Sequence, residues 1–497
     1  MGLFYVASAF GLVALATFLM FYALQLPKTS LLFSRDEASD FRTRYRGRLG
    51  GAMVVSNFFG TLTSLGTVYV FFLGTSKVFG YVIFAAPLTI FFGFFITNFI
   101  TRKILKNNAQ YRDVLDNSKR TSGVIAKITW NSGRHGRWVA FLVKWISILS
   151  IAGIIWLELA IFSDIARSLS GLGSNDLWAG AAVIFFISFT VVALILRYGL
   201  RGFLFADVLQ GPIILVGTLI LLATMLWIVV DGLGAVSVNT GLQPFVPLAD
   251  TQTLFLFVVH VLVLNFALVL VTEGHWFRLW LFDRAEDQNQ GLAASITAGV
   301  WILLALIGCL AVAVTADIAN GGVVDLVNRM GEISLALIFI FWIVASAALF
   351  STADSQLFHL LLVRKFNSKN GEMSSSIDRP HSPILQAITY STIVTILYIV
   401  IRYFDVPFEK LVFAITPLCS NILPSLIAAA TRRSQHAGWT IFSVLLYAVC
   451  SVIGFLTPSA ELAWTLSAAL MPVGVKALMM LLQRPMKEAN SAVVSNA

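Results

Sequence analysis

Charge is scarce in this 497-residue chain. Asp, Glu, Lys and Arg make up 12% of it and apolar residues 58%, where a soluble domain carries about 25% charged residues. Mean hydropathy is +0.85. This shortage excludes an ordinary soluble protein, because the apolar excess has to face lipid. Long polar stretches are also missing, which excludes a kinase, cyclase or hydrolase domain fused to a membrane anchor, so the chain does not read as an enzyme. Cysteine is rare, and Cys309, Cys419 and Cys450 all lie in apolar runs, so neither a disulfide framework nor a metal–thiolate site is suggested. No ring-forming filter repeat is visible, which counts against a channel. No Lys or Arg precedes the first apolar run, residues 1–25, and the first basic residue is Lys28. A signal peptide carries its positive charge ahead of the apolar stretch, so this run reads as a retained helix with an outside N-terminus.

What the chain does have is one apolar run after another. A spanning helix needs about 20 residues. Runs of that kind begin at residue 1 and near Ala52, Tyr81, Val139, Asp176, Phe203, Thr253, Gly291, Gly331, Ile384, Phe408, Gly438 and Leu462, thirteen in all. The basic residues test this count, because alternate loops should differ in Lys and Arg content. With the loop after the first helix inside, 27 of the 34 Lys and Arg fall on inside faces, from Lys28 to Lys487. The outside faces receive only Lys77, Arg167, Arg329, Arg402 and Lys410. One missed helix would invert every later loop. The net charge of +9 therefore records orientation in a multi-pass membrane protein rather than nucleic-acid binding, and places the C-terminus in the cytoplasm.

Polar residues inside these runs are the functional candidates, since lipid penalises them. The strongest cluster is Ser351-Thr352-Ala353-Asp354-Ser355. Helical spacing puts Ala348, Ser351, Thr352 and Ser355 on one face, and adjacent hydroxyls beside a small residue offer hard oxygen ligands of the kind a small cation such as Na⁺ takes. Lubrication of helix packing is the bland alternative. A second feature joins the basic turn Arg197–Arg201 to Asp207, Gln210 and Pro212; Pro212 frees a backbone carbonyl near Asp207, although an interfacial Asp207–Arg201 pair would also account for the acid. A third, over 54–81, holds Gly60, Thr61, Thr63, Ser64, Gly66 and Gly74, residues that suit a broken helix offering carbonyls to an ion or a close-packed helix. The fourth is Asn265, alone in an apolar run and in need of a partner on a neighbouring helix or a solute, followed by Glu273 and His275 near the cytoplasmic end.

These four segments, in this order and at these separations, resemble the sodium/solute symporter family, relatives of the sodium-coupled glucose and proline transporters. Ser351 through Leu357 is similar to the hydroxyl motif of its eighth core helix. Ala206-Asp207-Val208-Leu209-Gln210-Gly211 resembles the acid-and-glutamine motif opening its fifth. Arg278 with Asp283 resembles the cytoplasmic segment after the sixth, and residues 66–80 the Gly-rich second half of the first. The resemblance implies an all-α polytopic membrane protein, about thirteen helices with a five-plus-five inverted-repeat, LeuT-type core. The expected division is one extra helix over 1–25, the core over about 48–433, two C-terminal helices over about 438–484 and a cytoplasmic tail over 485–497.

The implied function is sodium-coupled symport of a small organic solute across the cytoplasmic membrane by alternating access, with no cofactor and Na⁺ as the coupling ion. The implied sodium ligands are the backbone carbonyls of Gly60, Thr63 and Ala348 and the hydroxyls of Ser351 and Thr352. Asp207, with Asp354, belongs to the ion pathway. Asn265 and Ser64 are the solute contacts. Leu268 and Val269 stand where sugar-carrying relatives often have aromatics, which favours an amino acid or carboxylate over a sugar. Leu62 stands where proline carriers have an Asp, which counts against proline. A proton-coupled carrier and a transporter-fold sensor signalling to a partner are the rival expectations.

Overall fold

The structure, a computed structural model, describes residues 2–23, 75–107, 136–169, 177–232, 245–271, 286–314, 335–364, 366–367, 372–373, 383–404, 418, 421–430, 437–457, 470–471, 474–475 and 477–478. Nearly all of this is helix. α1 is Gly2–Ala23. A short α2, Thr75–Phe79, leads through a 3₁₀ turn, Gly80–Phe84, into α3, Ala85–Asn107. There follow α4, Gly136–Leu169, α5, Leu177–Gly232, α6, Thr251–Val271, α7, Glu286–Val314, and α8, Leu335–Arg364. A two-residue antiparallel pairing, Phe366–Asn367 (β1) with Glu372–Met373 (β2), precedes α9, Pro383–Tyr403. α10, Leu423–Ala430, and α11, Ala437–Leu456, complete the set. Helix is the expected form for such runs, because a single strand in lipid would leave its backbone groups unpaired.

Among the described residues, five helical stretches are long and apolar enough to cross a membrane: Gly136–Ser163, Leu177–Tyr198, Ala206–Trp227, Leu335–Leu360 and Ile384–Tyr403. Five shorter apolar ones accompany them: Val6–Met20, Gly80–Ile96, Thr251–Phe266, Ala294–Leu310 and Ala437–Ile453. All ten fall on runs expected from the sequence. The expected runs from Ala52, Phe408 and Leu462 lie wholly or largely outside the described residues. One boundary differs from expectation. The runs from Asp176 and Phe203 form a single helix of 56 residues, which if straight would be about 84 Å long against a hydrocarbon core of about 30 Å. It contains two stretches each long and apolar enough to cross a membrane, Leu177–Tyr198 and Ala206–Trp227, with the basic residues Arg197 and Arg201 at their junction.

α8 packs on α5, α4 and α1, and α9 on α5; α3 packs on α6 and α7, and α7 packs on α5 as extensively as on α3. Side-chain size sets some of these distances. A Cβ on Gly217 of α5 would collide with Cγ2 of Val344 on α8, so the missing side chain is what lets α5 and α8 approach so closely.

The start of α3 is held from the far side of the sequence. Gly80 has φ +49°, and a Cβ there would lie 2.5 Å from the Phe245 carbonyl oxygen. The Tyr81 amide donates to that oxygen at 2.9 Å, and the Leu248 and Ala249 amides donate to the Val78 carbonyl at 3.0 and 3.1 Å. Asp250 then caps α6, its carboxylate accepting from the Thr253 amide at 2.8 Å and the Thr253 hydroxyl at 3.0 Å. Phe79 and Phe257 stack across the junction with centroids 3.8 Å apart.

Candidate functional site

The site forms where α5 and α8 run against each other. Asp207 stands at the beginning of the span Ala206–Trp227, and Ser351 is past the middle of α8. The Ser351 hydroxyl donates to Oδ1 of Asp207 at 2.8 Å, a contact bridging 144 residues of sequence. Val344 meets Gly217 on the same interface, so residue numbers rise along α8 as they fall along α5 and the two segments are antiparallel. That register sets Gln210, one turn beyond Asp207, at the level of Ala348 and Ser351.

All of these groups are withdrawn from the surface. Asp207, Gln210, Ala348, Ser351 and Ser355 are fully buried, Thr352 is 1% exposed and Asp354 6%. A hydroxyl bonded to a carboxylate stabilises the fold by about 1.5–3 kcal/mol. Around this bond the polar side chains are under-used. Among the described residues, the Gln210 amide nitrogen and oxygen, the Thr352 hydroxyl and the Ser355 hydroxyl have no hydrogen-bond partner. Leaving a buried hydroxyl or amide unpaired costs about 1–3 kcal/mol, and native proteins rarely do so without a reason. Several such oxygens on the two helices that share the Ser351–Asp207 bond suit a small hard cation or ordered water better than an apolar ligand. Pro212, one turn beyond Val208, removes the amide that would bond to the Val208 carbonyl and so frees one more backbone oxygen on the same helix.

The structure therefore joins two of the motifs that the sequence shows separately, the acid at Asp207 and the hydroxyl pair at Ser351 and Thr352. Ala348 lies one turn before them on α8. Asp354 is buried on the same helix, three residues past Ser351. Gly60, Thr63 and Ser64 lie outside the described residues, as do Glu273, His275, Arg278 and Asp283.

Asn265 is buried, and its amide nitrogen donates to the Ala86 carbonyl at 3.1 Å and to the Thr89 hydroxyl at 2.7 Å. Both amide protons are engaged by α3, so this side chain ties α6 to α3 and leaves only its carbonyl oxygen for a solute. Two buried titratable residues escaped the sequence reading: His260 on α6 and His359 on α8, each 1% exposed. The signal was present, since both lie inside apolar runs. His359 is eight residues beyond Ser351 with Ser355 between, so the three share one face of α8. Among the described residues, no group of three or more His, Cys, Asp or Glu could hold a metal ion.

The class that this fold defines is an almost entirely helical one, with several apolar helices of membrane-spanning length. Among solved structures, the chain is similar to a Na⁺-coupled sialic acid symporter in a substrate-bound outward-open state, with a TM-score of 0.62 at 14% identity over 98% of this chain and 99% of that one. Looser likenesses are to MhsT in complex with L-phenylalanine, with a TM-score of 0.47 at 16% identity over 88% of this chain and 98% of that one, and to Mhp1, a nucleobase-cation-symport-1 family transporter in a closed conformation with bromovinylhydantoin bound, with a TM-score of 0.42 at 13% identity over 88% and 94%. No family model matches the chain, and no curated protein matches it.

Proposed function

We propose that the chain is a secondary carrier of the sodium/solute symporter family, using the sodium gradient to bring a small organic solute across the cytoplasmic membrane by alternating access. The observation that carries the reading is the buried bond from Ser351 to Asp207, on helices that also carry the unpartnered side chains of Gln210, Thr352 and Ser355, within a fold similar to that of a Na⁺-coupled symporter. A sodium ion entering this interface would take the hydroxyls of Ser351 and Thr352 and the Ala348 carbonyl, with Gly60 and Thr63 carbonyls from the first core helix completing the shell. Asp207, bonded to one of these ligands, would attract the ion and receive it during exchange with the cytoplasm. Asp354 lies along the same helix on the way. Coupling follows if the ion and solute favour the same conformation, since a ligand shifts an equilibrium only by its differential affinity for the two states.

The solute would lie at the midplane, near the breaks in the first and sixth core helices, meeting Ser64 and the carbonyl oxygen of Asn265. An amino acid or other small carboxylate fits the absence of stacking aromatics at Leu268 and Val269 better than a sugar does. Thirteen spanning helices, an outside N-terminus and a cytoplasmic C-terminus follow from the 27 inside basic residues. The test is Na⁺-dependent thermal stabilisation of purified protein at constant ionic strength. Wild type should be stabilised by Na⁺ and not by K⁺, and the Ser351→Ala/Thr352→Ala double variant should lose the effect. If Na⁺ and K⁺ act alike on wild type, sodium coupling is wrong and a proton-coupled carrier using Asp207 or Asp354 replaces it.

A further inference from the structure

The first helix stands outside the expected ten-helix core, yet it is built directly against the helix that carries the hydroxyl pair. Val6, Ala9, Phe10, Val13 and Thr17 of α1 are buried, a stripe at helical spacing, and α1 makes its main packing contact with α8. At the centre of that contact, Phe10 lies flat on Phe350, the residue immediately before Ser351, with centroids 4.9 Å apart and planes 21° from parallel. Phe10 also meets Phe162 of α4 edge-on at 6.2 Å and Phe186 of α5 at 6.3 Å. Phe162 in turn meets Trp342 of α8 edge-on at 5.2 Å. The aromatic cluster thus grips α8 at Trp342 and at Phe350, about 12 Å apart along the axis, and Ala348 and the Ser351 turn lie at or beside the second grip.

We infer that Phe10 is a positioning residue for the cation: by holding Phe350 it sets the rotation of the α8 turn that presents the Ala348 carbonyl and the Ser351 and Thr352 hydroxyls. The inference rests on the sodium reading above and goes beyond it, since it gives the extra helix a part in ion binding. The geometry is demanding. Turning α8 by about 20° would move a hydroxyl some 5 Å from its axis by about 1.7 Å, far more than the few tenths of an ångström a ligand shell tolerates. Cores resist such turning only while each ring keeps its partner, and Phe350 is 2% exposed with Phe10 on its face.

The test reads the Na⁺ concentration at half-maximal thermal stabilisation in full-length Phe10→Ala, Phe10→Leu and Phe350→Leu. Leu15→Ala serves as control, because Leu15 is exposed on α1. Phe10→Ala should raise the half-effect concentration about three- to thirtyfold, Phe10→Leu should raise it less, and Leu15→Ala should leave it unchanged. A purely structural role would lower the melting temperature by the same amount at every Na⁺ concentration and leave the midpoint where it was, and that result overturns the inference while the sodium reading stands. Should Phe10→Ala not fold, unchanged midpoints in Phe10→Leu and Phe350→Leu overturn it equally. Absence of any Na⁺ effect in wild type removes both readings together.

Discussion

Removing the Ser351 hydroxyl probes the site at its most constrained point. Ser351 is fully buried and its hydroxyl is bonded to Asp207 at 2.8 Å, so Ser351→Ala deletes one buried hydrogen bond, about 1–3 kcal/mol. The same hydroxyl is one of the proposed ion ligands. If its loss from the ion shell costs a comparable amount, Na⁺ binding weakens about ten- to a hundredfold, at about 1.4 kcal/mol per tenfold. The assay is a Na⁺ titration of melting temperature, with choline holding ionic strength constant. The variant should melt lower than wild type without sodium, and the gap should widen as Na⁺ rises, because wild type gains RT ln(1 + [Na⁺]/Kd) at concentrations where the variant gains little. Ser351→Thr, which keeps a hydroxyl, should recover part of the response. A folded Ser351→Ala protein whose Na⁺ midpoint lies within about twofold of wild type would show that the Asp207–Ser351 bond is structural only.

Three further outcomes follow from particular contacts. Gly217→Ala places a methyl against Val344; overpacking of this kind costs about 1–3 kcal/mol, so the melting temperature should fall, and adding Val344→Ala should restore much of it. Asn265→Leu removes both donors to α3; a double-mutant cycle with Thr89→Val should show a coupling of about 0.5 kcal/mol or more, and strict additivity would contradict the tie between α6 and α3. The Thr253 amide and hydroxyl, the amide foremost, hold the Asp250 carboxyl below its ordinary value of 3.8. The cap is therefore complete above that value and is lost as pH falls through the lowered one. The protection of the Thr253 and Leu254 amides, their exchange rate taken relative to that of an unstructured chain at the same pH, should fall at low pH in wild type, while Asp250→Asn should remove that fall.

Much of this architecture was legible in one dimension because lipid enforces simple rules. Apolar runs of spanning length locate helices without any knowledge of packing, and all ten apolar stretches among the described residues sit on such runs. Asp207, Ser351 and Thr352 were conspicuous for the same reason: each is a polar residue where lipid should have excluded it. That Asp207 and Ser351 touch was not legible, since 144 residues separate them and a local pairing of Asp207 with Arg201 was as good an account of the acid. Nor could the sequence separate a packing role from a solute role for Asn265, because an amide suits either, and only the donors' partners on α3 decide what its nitrogen does. Phe10 was invisible for the opposite reason. It is one of 40 phenylalanines in an apolar helix, and its significance lies wholly in which ring it meets.

Equilibrium binding of radioactive sodium to the purified protein, with no solute added, tests the central claim most directly. Wild type should bind Na⁺ saturably and resist competition by K⁺, and Ser351→Ala/Thr352→Ala should bind none above background. Saturable binding that the double variant retains undiminished would contradict the assignment of the ion to the α5–α8 interface, and the absence of saturable binding in wild type would contradict sodium coupling itself.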